Sequence, residues 1–176
     1  MHRLARLPGT PYSLAAGFAA GAAVSFTPLV GFHFVMGAIV AWLLRANLVA
    51  SAIGTAVGNP WTFPFIWLWL YSFGHWMIDL VGMNGDDYEE SPRFAIIFSD
   101  MFQAMIMGNW GYLVETAGPV IGPMLLASVP TGIVVGLVIY RTLKPIISRY
   151  QSRRRQGHRR RISEKVGLQA AGEAKP

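Results

Sequence analysis

The chain has 176 residues, a length that suits one domain, and it is 53% hydrophobic but only 14% charged. Soluble globular domains carry roughly 25% charged residues, so this composition argues against an ordinary soluble protein. The absence of cysteine excludes disulfides and thiolate metal sites. The net charge of +6 does not indicate nucleic acid, because most Lys and Arg residues follow Tyr140 and are concentrated in one tail.

The first hydrophobic segment, residues 14–44, contains no Asp, Glu, Lys or Arg. It is longer than the apolar core of a signal peptide, which has about 7–15 residues, so we expect it to be retained. A straight helix of this length would extend about 45 Å, beyond the roughly 30 Å hydrocarbon core of a bilayer. Its middle carries VSFTPLVGFHF, in which Thr27, Pro28 and Gly31 interrupt the helix and His33 follows the break.

The second hydrophobic segment, residues 46–78, is also uncharged and carries GNPWTFPF near its middle. Here Gly58, Pro60 and Pro64 break the helical pattern, and Asn59 and Thr62 stand beside them. Two complete membrane crossings would need about 40 residues plus a turn. Each segment therefore predicts a broken, tilted helix or a re-entrant pair of half-helices, whose irregular backbone is buried in protein or lines a wet cavity.

The two interrupted segments also resemble each other. GAAVSFTPLVGF, from Gly21, and GTAVGNPWTFPF, from Gly54, share G-x-A-V and a following proline. Corresponding interrupted segments in two halves of a chain point to a transporter-type binding site, whereas chance in a membrane composition is the alternative. Glycines spaced four apart predict faces where helix backbones approach closely. These pairs are Gly17 and Gly21, Gly118 and Gly122, and Gly132 and Gly136.

After the second segment the chain becomes polar and then apolar again. Residues 79–92 form an acidic loop without Lys or Arg, which is compatible with the outer face of the membrane. Residues 93–115 carry Asp100 and Gln103 on adjacent turns, so we favour an interfacial amphipathic helix over a full span. Trp110 and Tyr112 would then lie in the interfacial belt. Residues 118–141 predict a transmembrane helix.

Both ends of the chain are basic, which predicts that both termini are cytoplasmic. The sequence RRRQGHRRR directly follows the last apolar segment, and we expect its arginines to contact anionic lipid head groups. These arginines are Arg153, Arg154, Arg155, Arg159, Arg160 and Arg161. From Gln151 the composition is polar and poor in aromatic residues, which predicts disorder. We therefore divide the chain into a membrane domain, residues 1–143, and a basic cytoplasmic tail, residues 144–176.

Two side chains suggest chemistry, one between the two interrupted segments and one just after the first break. Arg45 is the only Lys or Arg between Arg6 and Arg93. It is either an interface anchor in a short turn or an anion-binding group, because guanidinium forks suit phosphate and carboxylate. His33 is either a hydrogen-bonded structural residue or a proton-coupled or ligand-contacting group, since ionisable groups inside membranes are costly and tend to be functional.

The remaining polar residues of the breaks have two readings. Asn59 and Thr62, like Thr27 and Asn47, either satisfy backbone groups that the breaks leave free or coordinate a ligand. The sequence has no G-x-S-x-G, no H-E-x-x-H and no glycine-rich phosphate loop, and no compact set of metal ligands. We therefore predict no enzyme activity, no metal and no cofactor.

A set of residues between positions 17 and 74 resembles a known family. It forms the patterns F-x-P-x-x-G-x-H, R-x-N, G-T-x-x-x-N-P-x-T-x-P and Y-x-x-G. The residues are Phe26, Pro28, Gly31, His33, Arg45, Asn47, Gly54, Thr55, Asn59, Pro60, Thr62, Pro64, Tyr71 and Gly74. This pattern resembles the bacterial membrane family called domain of unknown function 2062. The resemblance implies a small bacterial inner-membrane protein, sometimes joined to glycosyltransferase-like domains, and it supplies no established activity.

The sequence as a whole predicts an all-α integral membrane protein. It would contain two Pro/Gly-interrupted hydrophobic hairpins, re-entrant or broken, then an amphipathic helix and a C-terminal transmembrane helix. We expect it to transport or handle an anionic or lipid-linked ligand through the paired breaks, in a multi-pass fold of the bacterial inner membrane. The alternative is a non-catalytic scaffold or partner of a cell-envelope enzyme. The expected partners are membrane lipids and a second copy or another membrane protein, because one protomer offers few helices to enclose a path.

Overall fold

The computed structural model describes residues 8–29, 31–82, 94–108, 111 and 118–173, and in these ranges the chain is helical without any strand. The all-α class is therefore confirmed for this part of the chain. A single 3-10 turn, Thr55–Val57, extends the third helix. The helices in chain order are α1 (Pro11–Val24), α2 (His33–Leu43), α3 (Leu48–Gly54), α4 (Phe63–Leu80), α5 (Phe94–Met107) and α6 (Gly118–Glu173).

The two hydrophobic segments are interrupted where the sequence indicated. α1 ends at Val24 and α2 begins at His33, and between them Pro28 is buried and Gly31 has a φ of +90° that favours glycine. α2 runs antiparallel to α1, because His33 lies beside Thr27 and the Tyr12 hydroxyl, at the start of α1, donates to the carbonyl of Leu44. The first segment is thus an antiparallel pair of helices that are both shorter than a membrane span.

The tightest packing in the fold joins α1 to α3. Gly17 lies against the carbonyl of Asn47 and Gly21 lies against that of Ser51, so the two helices run parallel and in step. A Cβ atom on either glycine would overlap those carbonyls. Small residues allow this approach because they remove the side-chain layer between two backbones. The packing predicted from the spacing of Gly17 and Gly21 is confirmed.

The contact between α1 and α3 is reciprocal. Gly21 packs on Ser51, and Gly54 packs on Phe18 in the same way. The number of residues from Gly21 to Gly54 equals the number from Phe18 to Ser51. The two G-x-A-V sequences are separated by the same number of residues. The weak repeat in the sequence therefore corresponds to reciprocal contacts between two parallel helices.

The second segment continues in one direction along α6. Ala50 of α3 packs in one cluster with Leu143, whereas Trp69 of α4 reaches the hydroxyl of Thr131 at 3.4 Å. Further on, Gly74 lies against the backbone of Pro123. Because these contacts move steadily toward the start of α6, α3 and α4 run in the same direction.

α6 contains the only stretch in the described ranges that is long and apolar enough to cross a membrane, Gly118–Arg154. Only 28% of its most apolar window is buried, which distinguishes it from the core helix of a soluble protein. It indicates membrane association. α6 passes through residue 144 and stays helical to Glu173, so the polar segment from Gln151, for which composition predicts disorder, belongs to the same helix. The division into domains 1–143 and 144–176 stays a prediction.

The distribution of side chains differs from that in a soluble domain. Many large apolar side chains face outward, including Trp42, Phe65 and Val129, which are 62–76% exposed. Many buried positions hold alanine, glycine and small hydroxyl residues such as Ser25 and Ser51, together with some larger apolar residues. Large apolar surfaces of this kind need a covering, and a hydrocarbon environment supplies one.

Some sequence predictions fall outside the described ranges or are only partly covered. The acidic loop lies outside them from residue 83 onward, and so do Trp110 and Tyr112. Within the predicted amphipathic segment 93–115, α5 covers Phe94–Met107, 14 residues. This is fewer than the roughly 20 residues that a membrane crossing requires.

Candidate functional site

The two interruptions meet at Ser25. This residue is fully buried, and its Oγ lies 3.0 Å from the carbonyl oxygen of Gly21 and 3.2 Å from that of Thr55. Gly58, in the second interruption, leaves space for Ser25, since a Cβ on Gly58 would come within 2.9 Å of the Ser25 Cβ. The single hydroxyl hydrogen is shared between, or donated to either of, two backbone carbonyls on opposite sides of the contact, one of which, that of Thr55, also accepts from the N–H of Gly58.

His33 links the same two interruptions. Its ring is buried, and Nε2 lies 3.4 Å from the carbonyl oxygen of Thr27 in the first break. The ring also stacks on Phe63, the first residue of α4, with 5.5 Å between centroids. The imidazole therefore bridges the end of one break to the end of the other. We call the group formed by Ser25, Thr27, His33, Gly58 and Phe63 the break junction.

Asn59 and Thr62 close the second break by hydrogen bonds within it. The side-chain oxygen of Asn59 accepts from the backbone N–H groups of Trp61 and Thr62, at 3.0 and 3.2 Å. In return, the Thr62 hydroxyl accepts from the Asn59 N–H at 3.0 Å and donates to the carbonyl of Val57 at 2.7 Å. This reciprocal arrangement has the hydrogen bonds of a capping box, and it forms the turn that leads into α4.

Arg45 and Asn47 lie at the other end of α2. Arg45 has a φ of +50°, and its N–H bonds to the carbonyl of Trp42 while the N–H of Ala46 bonds to that of Ala41. These two bonds form a Schellman motif, in which glycine normally occupies the left-handed position. A side chain there costs roughly 1 kcal/mol. Asn47 then caps α3 by accepting from the N–H of Ala50 at 2.9 Å.

The structure places the two ionisable candidate residues, His33 and Arg45, far apart. His33 begins α2 and Arg45 follows its end, so about 18 Å of helix lies between them at 1.5 Å per residue. His33, Thr27 and Gly58 belong to the break junction, with Asn59 and Thr62 adjoining it along the chain. Arg45 and Asn47 belong to a different region. The fold therefore does not bring Arg45 to the breaks, as the anion-site hypothesis would require.

The region around Arg45 collects other polar and basic groups. Next to it, the ring of Tyr12 meets that of Tyr140 edge-on at 6.0 Å. The Nζ of Lys144 lies over the Tyr140 ring, 5.3 Å from its centroid, and Arg141 is exposed beside it. We call this region the basic end. Sequence reasoning did not select Tyr12 or Lys144, although aromatic residues flanking apolar segments are a known signal of a membrane interface.

An apolar groove of about 630 Å³ runs between α1, α2 and α6. At one end its lining includes Tyr12 and Tyr140 of the basic end, and at the other it includes Thr27 and Ser128. Both hydroxyls at that end donate their hydrogen to a backbone carbonyl, Thr27 to that of Val24 at 2.9 Å and Ser128 to that of Leu125 at 2.7 Å. The groove thus joins the basic end to the break junction with almost no free polar group in its wall.

The remaining predicted site residues lie on α6 and in the breaks. Arg153 and Arg154 are exposed, and the other arginines of the basic sequence, Arg155, Arg159, Arg160 and Arg161, belong to the same helix. Pro60 and Pro64 are exposed at the second break. Among the residues that the structure describes, no three His, Asp or Glu side chains cluster as a metal site would require.

Comparison with known proteins gives one finding. A family model described as an uncharacterised protein conserved in bacteria, DUF2062, matches residues 1–156 of the 176. The match includes both interruptions and the basic end, and it confirms the resemblance drawn from the sequence. No curated protein and no solved structure gives a significant match.

Proposed function

Since the chain belongs to this bacterial family of uncharacterised proteins, we propose that it binds and handles an anionic, lipid-linked ligand in the membrane. The observation that carries the proposal is the basic end. Arg45 has no other Lys or Arg near it in the sequence, yet the fold brings it to the side of α6 where Arg141 and Lys144 begin the basic region. Three cations at the edge of an otherwise apolar surface form an attractive site for a phosphate or carboxylate.

The backbone of Arg45 adds to this argument. A glycine at that position would form the same Schellman motif without the steric cost of a side chain. An arginine there destabilises the turn and must be offset elsewhere in the fold. Strained backbone of this kind tends to occur where the side chain has a role beyond folding. A contact with an anionic head group is such a role.

We place the basic end at the cytoplasmic interface of the inner membrane and the break junction inside the bilayer. Ser128, beside the first break, precedes Arg141 by 13 residues of α6, which corresponds to about 20 Å of depth. α1 and α2 would then form a re-entrant pair that enters and leaves on one side, while α3–α4 and α6 cross. The irregular backbone at the junction is tolerated at that depth because its polar groups are bonded within the protein.

Binding of matched lipids to the purified protein tests the proposal. Native mass spectrometry would compare phosphatidylglycerol, which is anionic, with zwitterionic phosphatidylethanolamine that has the same acyl chains. We expect preferential retention of the anionic lipid. In the R45N variant the preference should fall about fivefold, because one cation near an anionic surface contributes about 1 kcal/mol. Asparagine tolerates the left-handed backbone, so the turn itself is preserved.

Two controls make the result specific. The R45K variant keeps the charge and should keep most of the preference. The R154N variant removes an exposed arginine farther along α6 and should change it little. Equal losses in R45N and R154N would show an unspecific attraction to basic surface and would overturn the proposal, as would equal retention of the two lipids by the unaltered protein.

A second candidate is a non-catalytic scaffold, and one observation favours it. α6 remains helical to Glu173, well past the end of the candidate span at Arg154, and a basic helix beyond the membrane is a suitable surface for an acidic partner. Deletion of residues 157–176 separates the two candidates. A scaffold would lose its co-purifying partner, whereas lipid preference at Arg45 would persist. In both cases we propose a protein without enzymatic activity that works as a homo-oligomer or beside a membrane partner.

A further inference from the structure

We infer that the groove between α1, α2 and α6 holds one acyl chain of an anionic lipid whose head group lies at the basic end. This inference rests on the proposed function and names the part of the ligand that the basic end does not contact. It is carried by the placement of charge, the length of the groove and the chemistry of its wall.

Charge is present at only one end of the groove. Arg45, Arg141 and Lys144 stand at the end formed by Tyr12 and Tyr140. The rest of its lining, which comes from α1, the first break, α2 and residues 128–140 of α6, contains no Lys or Arg. A site with cations at one end and hydrocarbon along its length is complementary to a molecule with the same asymmetry, which an anionic lipid has.

The length of the groove matches one leaflet of a bilayer. Its lining on α6 extends from Ser128 to Tyr140, which is about 18 Å of helix at 1.5 Å per residue. A hydrocarbon core of roughly 30 Å gives each leaflet about 15 Å. A chain whose head group lies beside Tyr140 would thus reach the break junction at the middle of the bilayer.

The wall of the groove suits hydrocarbon better than a polar solute. Its floor consists of small residues, among them Ala16, Ala20 and Gly132, so it is concave where the outer faces of the molecule are bulky. The hydroxyls of Thr27 and Ser128 already donate to nearby backbone carbonyls. A sugar or free phosphate would leave its polar groups unpaired along this wall, which is unfavourable, whereas an acyl chain loses nothing there.

Photo-crosslinking with a synthetic lipid tests the inference. The probe is phosphatidylglycerol with a diazirine at the middle of one acyl chain, added to the full-length protein in vesicles, and the cross-linked residues are mapped by mass spectrometry. We expect cross-links concentrated on Ala20, Ala23, Gly132 and Ile133. An even distribution that includes the outward residues Phe34 and Phe65 would indicate ordinary surrounding lipid and would overturn the inference.

Matched variants strengthen the test. A20L fills the groove from its floor and should lower cross-linking in the groove about tenfold, while A38L adds the same atoms on the exposed face of α2 and should change it little. M36Q keeps the size of the wall but adds polar groups, so it tests the groove even if A20L fails to fold. Unchanged cross-linking in a folded A20L or in M36Q would refute the acyl-chain site.

The result also separates this inference from the proposed function. If the unaltered protein gives no groove cross-links but keeps its Arg45-dependent preference for anionic lipid, the head-group site stands and the groove inference is rejected. Since the chain has no cysteine, a single A20C variant can be introduced to test another occupant. Efficient disulfide formation between two copies through Cys at position 20 would show that a second protomer fills the groove and would overturn the lipid assignment.

Discussion

Two faces of α1 carry small residues, and they have opposite outcomes. On one face, Gly17 and Gly21 bring the backbone of α1 into contact with that of α3. On the other, Ala16, Ala20 and Ala23 line the floor of the groove, which stays open between α2 and α6. Small residues in a membrane helix thus either remove the gap between two helices or create space beside them. Which outcome follows depends on whether a partner helix of matching shape lies opposite.

The closed face is the part of this comparison with the largest expected effect. In G21L, the new side chain would overlap the carbonyl of Ser51, so α1 and α3 could not keep their distance. We expect a loss of about 3 kcal/mol or more, at the upper end of overpacking costs, measured as thermal unfolding of the purified protein by tryptophan fluorescence. The matched control is G122L, because a Cβ on Gly122 meets nothing within 4 Å.

If G21L melts as the unaltered protein does, α1 and α3 are not in backbone contact and the two faces of α1 are alike. If G122L unfolds to the same extent as G21L, glycine is needed at both sites for a reason other than packing. Either result would remove the contrast between the closed face and the open groove.

The contrast also shows what sequence could predict. The breaks were placed correctly because proline and glycine act locally: Pro28 cannot donate to a helix and Gly31 adopts a positive φ. The spacing of Gly17 and Gly21 predicted a close approach, yet the same spacing at Gly118 and Gly122 has no neighbour in the part of the chain that the structure describes. The spacing of glycines identifies a helix face without bulky side chains, but the tertiary fold determines which element packs against that face.

The candidate site was harder to predict for the same reason. The sequence suggested that Arg45, which lies between the two interrupted segments, reaches back toward the breaks and His33, but the helix between them places them at opposite ends of α2. The groove has no sequence motif, since alanine and glycine are common in membrane helices. Tyr12 and Lys144 come together only through contacts between α1 and α6, which no local pattern encodes.

A smaller effect is expected at the point where the closed face ends. Ser25 Oγ lies within hydrogen-bond distance of carbonyls in both interrupted segments. In S25A the Thr55 carbonyl loses that contact inside the fold, and we expect a loss of about 1–2 kcal/mol in the free energy of unfolding. The matched control is S128A, whose hydroxyl is bonded within its own helix and should matter less. Equal losses in S25A and S128A would mean that the hydrogen bond between the two segments contributes no more to stability than one within a helix.

The smallest expected effect is a gain in stability rather than a loss, and it concerns the side of α1 that borders the groove. In R45G the left-handed turn after α2 would be formed by the residue that suits it, so we expect a gain of about 0.5–1 kcal/mol in stability. The same variant should lose preference for anionic lipid, as R45N does. Thermal unfolding and native mass spectrometry on one preparation measure both quantities.

A more stable protein with a weaker lipid preference would mean that Arg45 lowers the stability of the fold and that its charge contributes to lipid binding at the basic end of the groove. A protein that is less stable without Arg45 would instead make the side chain a structural anchor, and the open face of α1 would then be only a space between helices.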